Sequence, residues 1–191
     1  MCNLYQLEKS VDAVRRLFAE LQIPLTFPEG IPNFQPRNVR ISERAPIVRF
    51  NRDNQAAELV ERRWSWPGPT GKPVFNMRSD GREFSRDRCL VLADGFYEFT
   101  APDDPKQKKK NCWLFKPPTD FAIAGLVRQH PDVGEAFTLL TVPPGDDIAS
   151  YHNRQVALLT PPQWREWLDG SVQSVELLRP SEAGQLRVSA A

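Results

Sequence analysis

The sequence predicts an α+β fold, a single domain over residues 1–191 built on a bent, barrel-like, mostly antiparallel sheet with peripheral helices. Three observations lead there. Apolar runs of strand length recur along the chain, helical periodicity is confined to two or three stretches, and 18 of the 191 residues are proline. Proline interrupts helices and confines strands to short runs, so this many favour short strands joined by shaped loops. Strands in irregular order with few helices fit α+β architecture. A chain of this length can bury a substantial core as one domain.

Taken in order, Ser10 is placed to cap a helix over residues 11–22, because Val11, Val14, Leu17, Phe18 and Leu21 fall on one helical face. Residues 23–36 carry four prolines and two phenylalanines and read as an extended, irregular segment. Strands are expected at 45–50, 59–66 and 74–78. Another at 89–92 leads into a turn or bulge at Ala93-Asp94-Gly95, and a strand at 96–100 follows. Residues 101–111 read as a polar hairpin loop. Further strands are expected at 112–116, 121–126 and 137–142, a short helix at 146–150, and a strand at 155–159. Thr160-Pro161 begins a last helix through Trp164 and Leu168, with proline in the first turn where its missing N–H costs nothing. The tail, from about residue 170, holds one more expected strand at 172–178.

The longest apolar runs are too short to span a bilayer, and the start lacks the basic and apolar regions of a secretory signal. A cytoplasmic protein is expected. Cys2, Cys89 and Cys112 are odd in number and lack metal-ligand spacing, so neither a disulfide framework nor a metal site is expected.

The formal charge of +1 hides an asymmetry. From Arg37 to Arg88 there are 12 Lys or Arg against 7 Asp or Glu, and beyond Arg88 there are 10 against 13. Trp64, Trp66, Phe75 and Phe84 are interleaved with the arginines of the first window. Guanidinium groups for phosphates and flat faces for bases make a single-strand binding groove. A solvated arginine-rich surface is the alternative.

Four stretches can carry chemistry. Cys2 becomes N-terminal if Met1 is removed, and an N-terminal cysteine presents an amine and a thiol two carbons apart. An aldehyde condenses with the amine to an imine, and the thiol closes on that carbon to a thiazolidine. With ordinary pKa values of about 8 for the amine and about 8.5 for the thiol, both react near neutrality without large tuning. Asn76 and Arg78 share one face of a strand and could hold a sugar hydroxyl and a phosphate. Glu98, between Tyr97 and Phe99 after Gly95, would have a raised pKa if it faced inward, and could move protons. His152 precedes an apolar strand, at a loop position that often enters a site. Each has a plainer reading: an incidental second residue, a solvated strand face, an exposed glutamate, a structural histidine.

Together these stretches resemble the SRAP family, the SOS response-associated peptidases or abasic-site processing proteins. The resemblance rests on Met1-Cys2, Asn76-x-Arg78, the run from Arg88-Cys89-Leu90 through Ala93-Asp94-Gly95-Phe96-Tyr97-Glu98, and His152-x-Arg154. Phe137-Thr138-Leu139-Leu140-Thr141 before the histidine and Trp164…Trp167-Leu168 after it also fit, so the match spans residues 2 to about 169. It implies a protein that binds single-stranded DNA and traps the ring-opened aldehyde of an abasic site on Cys2, shielding the lesion in the DNA damage response. By the same resemblance Glu98 moves protons, His152 assists as acid, base or donor, Asn76 orients Cys2 or the sugar, and Arg78 grips a flanking phosphate. Asn33 matches a family asparagine near a substrate-facing loop. Arg37, Arg88, Trp64 and Trp66 complete the expected DNA-binding set. A monomer acting at the nucleoid, without cofactor or metal, is expected.

The chain departs from the family at Asn3, where glycine is common, at Trp64-Ser65-Trp66-Pro67-Gly68-Pro69, at Phe99, and at Gln155-Val156 after Arg154. These bear on DNA geometry rather than on the catalytic groups. Two other functions use the same residues. An N-terminal cysteine peptidase or amidohydrolase would attack an amide with Cys2 and needs an oxyanion hole. A non-catalytic single-strand binding module needs only the arginines and aromatics. Lyase chemistry on the same imine is a further expectation.

Overall fold

The computed structural model describes every residue except Met1, Asp103 and Pro105. Removal of Met1, and part of the hairpin loop expected at 101–111, therefore lie outside the described residues.

In chain order the elements are β1 (Leu4–Leu7), α1 (Val11–Glu20), β2 (Leu25–Thr26), β3 (Arg37–Arg40), β4 (Arg44–Asn51), β5 (Ala56–Trp64), β6 (Trp66–Pro67), β7 (Pro73–Val74) and β8 (Asn76–Arg78). Then come β9 (Arg88–Leu92), β10 (Gly95–Thr100), β11 (Asn111–Lys116), β12 (Ala122–His130) and β13 (Gly134–Val142). The last are α2 (Asp146–Ala149), β14 (Gln155–Val156), β15 (Leu158–Leu159), a 3-10 turn at Pro161–Gln163, α3 (Trp164–Asp169), α4 (Ser174–Leu177) and β16 (Arg187–Ala190). Strands dominate, as the proline content and short apolar runs predict.

Five strands close on themselves. In the larger sheet the order runs β13-β12-β9-β4-β5, and β13 returns to pair with β5 in parallel, Phe137 opposite Trp64. Such closure removes the free edges of those strands. Alternate residues fill the interior, where Trp64 and Phe137 stack at 6.5 Å. A second sheet, ordered β16-β11-β10-β1-β3, packs alongside. One contiguous core runs through both sheets, from Tyr5 and Phe96 to Leu90, Trp164 and Trp167.

Local sequence explains most elements. Ser10 caps α1 by accepting the Ala13 N–H at 3.2 Å, and Val14 and Phe18 face the core. Thr160 and Gln163 form a reciprocal capping box that starts the turn leading to α3, and Gly170 ends that helix in the left-handed conformation. The expected strand over 59–66 stops at Trp64, because Ser65 has φ +86° and swings the chain into β6. Residues 172–178 hold the short helix α4 instead of the expected strand. Ser174 there donates no strand pairing; its Oγ accepts the Phe84 N–H at 3.0 Å, and Leu177, Leu178 and Leu186 are buried against the core. Among the described residues no helix is long and apolar enough to cross a membrane.

Candidate functional site

The strand that carries Cys2 to its place, β1, has no counterpart in the sequence-based strand assignment. It pairs with β10, Tyr5 opposite Phe96 and Gln6 opposite Gly95, and with β3 on its other side. Continuing that register upstream places Leu4 opposite Tyr97 and Asn3 opposite Glu98, so Cys2 comes next to Glu98. Asp94 pins the other end of β1. Its carboxylate accepts the backbone N–H groups of Glu8 and Lys9 at 2.5 and 2.9 Å and pairs with the Lys9 ammonium at 2.5 Å. Gly95 serves close approach rather than a kink. A Cβ there would come within 2.9 Å of Leu114 Cδ1 and 3.2 Å of the Phe115 carbonyl on β11.

Cys2 is buried, and its thiol donates to the Leu4 carbonyl at 3.3 Å. Burial pushes the thiol pKa up to about 12, with the Glu98 charge adding to the rise and backbone groups of Leu4 and Tyr97 opposing it. This corrects the expectation of a thiol that titrates near neutrality without tuning. Desolvation disfavours the thiolate by more than the neighbouring dipoles restore. Asn76 donates through Nδ2 to the Cys2 carbonyl at 2.7 Å, a contact of the kind expected of a residue that orients Cys2. β8 holds Asn76 there by parallel pairing with β13, Asn76 opposite Leu139 and Arg78 opposite Thr141. Arg78 is exposed beside the site.

Glu98 is 1% exposed. Burial pushes its carboxyl up to about 7, while the Cys2 backbone N–H donates to it and pulls the value down. The inward orientation assumed in the sequence analysis is therefore realised. Trp113 lies directly opposite Glu98 on β11 and shares its face of the sheet. Tyr151 packs edge-on against Trp113 at 5.0 Å and Phe115 at 5.2 Å, which brings the following residue, His152, to the same side. His152 is half-buried, its Nδ1 lies 3.0 Å from the Arg154 N–H, and burial lowers its pKa. Cys2, Asn76, Glu98 and His152, far apart in sequence, thus gather around the chain's beginning.

Several expected DNA contacts are used elsewhere. Trp64 is fully buried, its Nε1 donating to the Phe75 carbonyl at 2.8 Å, so no face is left for a base. Trp66 is 6% exposed and covered by the Arg128 guanidinium at 5.0 Å. Arg88 is 5% exposed. It lies over Trp167 at 4.7 Å, donates to the carbonyls of Phe84 and Val172 and pairs with Glu83 at 3.1 Å. These contacts tie α3 and the chain beyond it to β9. Arg37 pairs with Glu43 at 3.0 Å. Asn33 is exposed and shares a surface recess with Ser10, Asp12 and Arg15 at the start of α1. It lies past the Leu7 end of β1, whereas Cys2 precedes the Leu4 end, so the structure does not bring Asn33 to Cys2. Arg154 is held by Asp80 at 2.7 Å and the Thr141 carbonyl at 2.6 Å, and supports the His152 loop. Asp94 and Tyr151, not singled out as functional, are the positioning residues that sequence reasoning missed. Asp94 stands inside the Asp-Gly-Phe-Tyr-Glu run, and Tyr151 immediately precedes the histidine.

The fold has counterparts among solved structures. The chain superposes on a protein of Bordetella bronchiseptica with a TM-score of 0.75 and 20% identity, covering 100% of this chain and 99% of that one. A protein of Bacteroides thetaiotaomicron gives 0.71 and 18%, covering 99% and 91%. In sequence the chain is 25% identical over 187 residues to the abasic site processing protein YobE of Bacillus subtilis, covering 88% of this chain and 82% of that protein. It is 27% identical over 179 residues to the abasic site processing protein HMCES of Gallus gallus, covering 71% and 53%. The family model described as SOS response associated peptidase (SRAP) matches residues 1–190, and the chain belongs to that family.

Proposed function

We propose that this protein binds single-stranded DNA at abasic sites and, with Cys2 as its N-terminal residue, captures the lesion's aldehyde as a thiazolidine. The observation that carries this reading is the Cys2 backbone nitrogen on the carboxylate of buried Glu98. Once Met1 is removed, that nitrogen is the α-amine. A carboxyl group near 7 beside an amine of ordinary pKa about 8 is matched for proton exchange.

Glu98 takes a proton from the ammonium, and the free amine adds to the aldehyde carbon to give a carbinolamine. Glu98 returns the proton to the departing hydroxyl, water leaves, and an iminium forms. The Cys2 sulfur then adds to the iminium carbon, and its proton passes to Glu98. The net change is aldehyde plus aminothiol giving thiazolidine plus water. A thiol held near 12 stays protonated until the iminium forms beside it, which orders amine attack before ring closure. Asn76 fixes the Cys2 carbonyl so that amine and thiol point at one carbon. The same thiol is poorly suited to peptide hydrolysis, where a cysteine nucleophile needs a depressed pKa. The reading assigns lesion shielding rather than proteolysis, with the chain working as a monomer and without cofactor.

The test is denaturing electrophoresis with a single-stranded oligonucleotide bearing an abasic site, coupled to mass spectrometry of the protein's N-terminus. A heat-stable adduct is expected from protein that begins at Cys2. Cys2→Ser is expected to give only an imine trapped by borohydride, and a form with Met1 retained is expected to give none. Wild-type adduct yields from either altered protein would overturn the reading.

A further inference from the structure

Glu98 stands near the end of β10, close to the rim of its sheet, yet it is closed off from water. Its neighbours on that face contribute unequally. Phe96, Glu98 and Thr100 point to one side of β10, and Phe115, Trp113 and Asn111 stand opposite them on β11. Phe96 and Phe115 are fully buried and stack at 5.4 Å, which closes the inner side of the carboxyl. On the outer side Thr100 and Asn111 are polar and half-buried. Apolar cover there falls to Trp113. Ala190, opposite Trp113 on β16, is too small to supply it.

The indole is tied in place over the carboxyl. Directly opposed side chains start about 5 Å apart, and diagonal neighbours are within reach of an aromatic ring. Trp113 Nε1 donates diagonally to Thr100 Oγ1 at 2.9 Å, so the ring leans past Glu98 toward the strand's end. The Tyr151 ring meets it edge-on at 5.0 Å and rests also on Phe115. The backbone N–H groups of Tyr151 and His152 both donate to the Ile148 carbonyl, at 2.8 and 2.9 Å. Those bonds fix the turn before His152 to α2, and the Trp113 ring fixes it to β11.

We propose that Trp113 is a positioning residue for aldehyde capture: its indole excludes water from the Glu98 carboxyl and, through Tyr151, seats His152 on the same side. This rests on the reading of Glu98 as the group that moves protons for Cys2. Without the indole, water stabilises the carboxylate, its proton affinity falls toward that of an ordinary glutamate, and the base weakens. The titratable groups on this side are the Cys2 thiol, the chain's terminal amine and His152, and the Tyr5 phenol on β1 shares the face of Glu98. Replacing Trp113 by an uncharged residue alters the charge of none of them.

The experiment is a pH titration of the Glu98 carboxyl carbon by NMR, with the signal assigned by its absence from Glu98→Gln. It needs neither DNA nor aldehyde, so a failure to crosslink would overturn the functional reading and leave this result standing. The midpoint, near 7 in the wild type, is expected to fall to about 6 or below in Trp113→Ala. Trp113→Phe, whose ring keeps the cover, should hold it near the wild-type value. In crosslinking, the pH inflection of Trp113→Ala should move down with the midpoint and the plateau rate should fall several-fold. Affinity for an oligonucleotide bearing a tetrahydrofuran abasic analogue should not change. Should circular dichroism show Trp113→Ala unfolded, Trp113→Leu carries the same comparison with a smaller fall. An unmoved midpoint, an equal fall in Trp113→Phe, or a loss of DNA affinity in place of the fall would overturn the proposal.

Discussion

Glu58 and Glu98 are both buried, at 6% and 1% exposure, yet their surroundings differ in kind. Glu58 accepts from Arg49 Nε at 2.9 Å and Asn51 Nδ2 at 2.7 Å. Arg49 also pairs with Glu135, Glu135 with Arg62, and Arg62 with Glu29, so five alternating charges form a chain across one mouth of the barrel. Each charge there is fixed by a guanidinium that does not change state near neutrality. Glu98 faces the Cys2 nitrogen and thiol, and burial has moved its proton affinity to about 7. Burial beside a permanent cation makes a carboxylate structural. Burial beside groups that themselves exchange protons leaves one that can give and take.

The contrast breaks if substitutions at the two places have the same consequence. The largest effect is expected at Glu98. Glu98→Gln should slow adduct formation at saturating DNA by tenfold or more, the usual range for a positioned acid/base being about 10²–10⁴. It should also stabilise the protein in alkaline solution. A carboxyl whose folded pKa is raised binds its proton more tightly when folded, so stability falls as pH rises from about 4.3 through about 7. The full cost is reached above 7, on the order of 3–4 kcal/mol. Glutamine avoids it, so the variant should melt several degrees higher at pH 8 and match wild type near pH 4. Equal melting temperatures at pH 8 would show that Glu98 is not under strain.

The opposite pattern is expected at the barrel mouth. Glu58→Ala leaves Arg49 with one carboxylate partner and orphans the Asn51 amide, and should cost about 2 kcal/mol. For a domain of this size that lowers the melting temperature by about 4–8 °C. Crosslinking by the folded fraction should be unchanged. A slowed reaction would mean the two ends are coupled through the barrel.

How much of this was legible in the sequence depends on whether the signal was local. Ser10 and the apolar face after it announce α1, and the run from Arg88 to Glu98 announces two strands. β1 escaped because Leu4-Tyr5-Gln6-Leu7 is too short to set a period, and it exists only because β10 and β3 receive it on both sides. The burial of Trp64 and Arg88 was hidden for a related reason. Both lie in an arginine-rich window that resembles a DNA surface, and strand parity decides which side chains turn inward. For Arg88 a signal was present, since the four apolar residues after it are all buried. Of the site, Cys2, Asn76, Glu98 and His152 could be named in advance, because their chemistry is carried by residue type and by resemblance. Asn33 could not be placed, because nothing in its Pro-rich segment indicates which end of β1 it lies beside. Asn76→Ala tests the part that was legible. Loss of the 2.7 Å bond to the Cys2 carbonyl should lower the crosslinking rate several-fold while leaving DNA affinity near wild type. An equal fall in affinity would return Asn76 to the sugar.

The smallest effect is expected at His152, and its pH dependence separates it from Glu98. Burial lowers the His152 pKa from its ordinary 6.5, so the ring is neutral at and above pH 7. A neutral imidazole supplies a hydrogen bond to the sugar or to a water but no charge change in that range. Glu98, near 7, does titrate there. In the wild type the crosslinking rate should therefore rise with pH through an inflection near 7, as Glu98 becomes able to accept the amine's proton. His152→Ala should lower the whole curve by a few-fold and keep the inflection, whereas Glu98→Gln should flatten it. The measurement is the single-turnover rate from pH 5.5 to 8.5 for the three proteins. An inflection lost in His152→Ala and kept in Glu98→Gln would transfer the proton-moving role to the histidine. The buried carboxylate would then serve only to hold the Cys2 nitrogen in place.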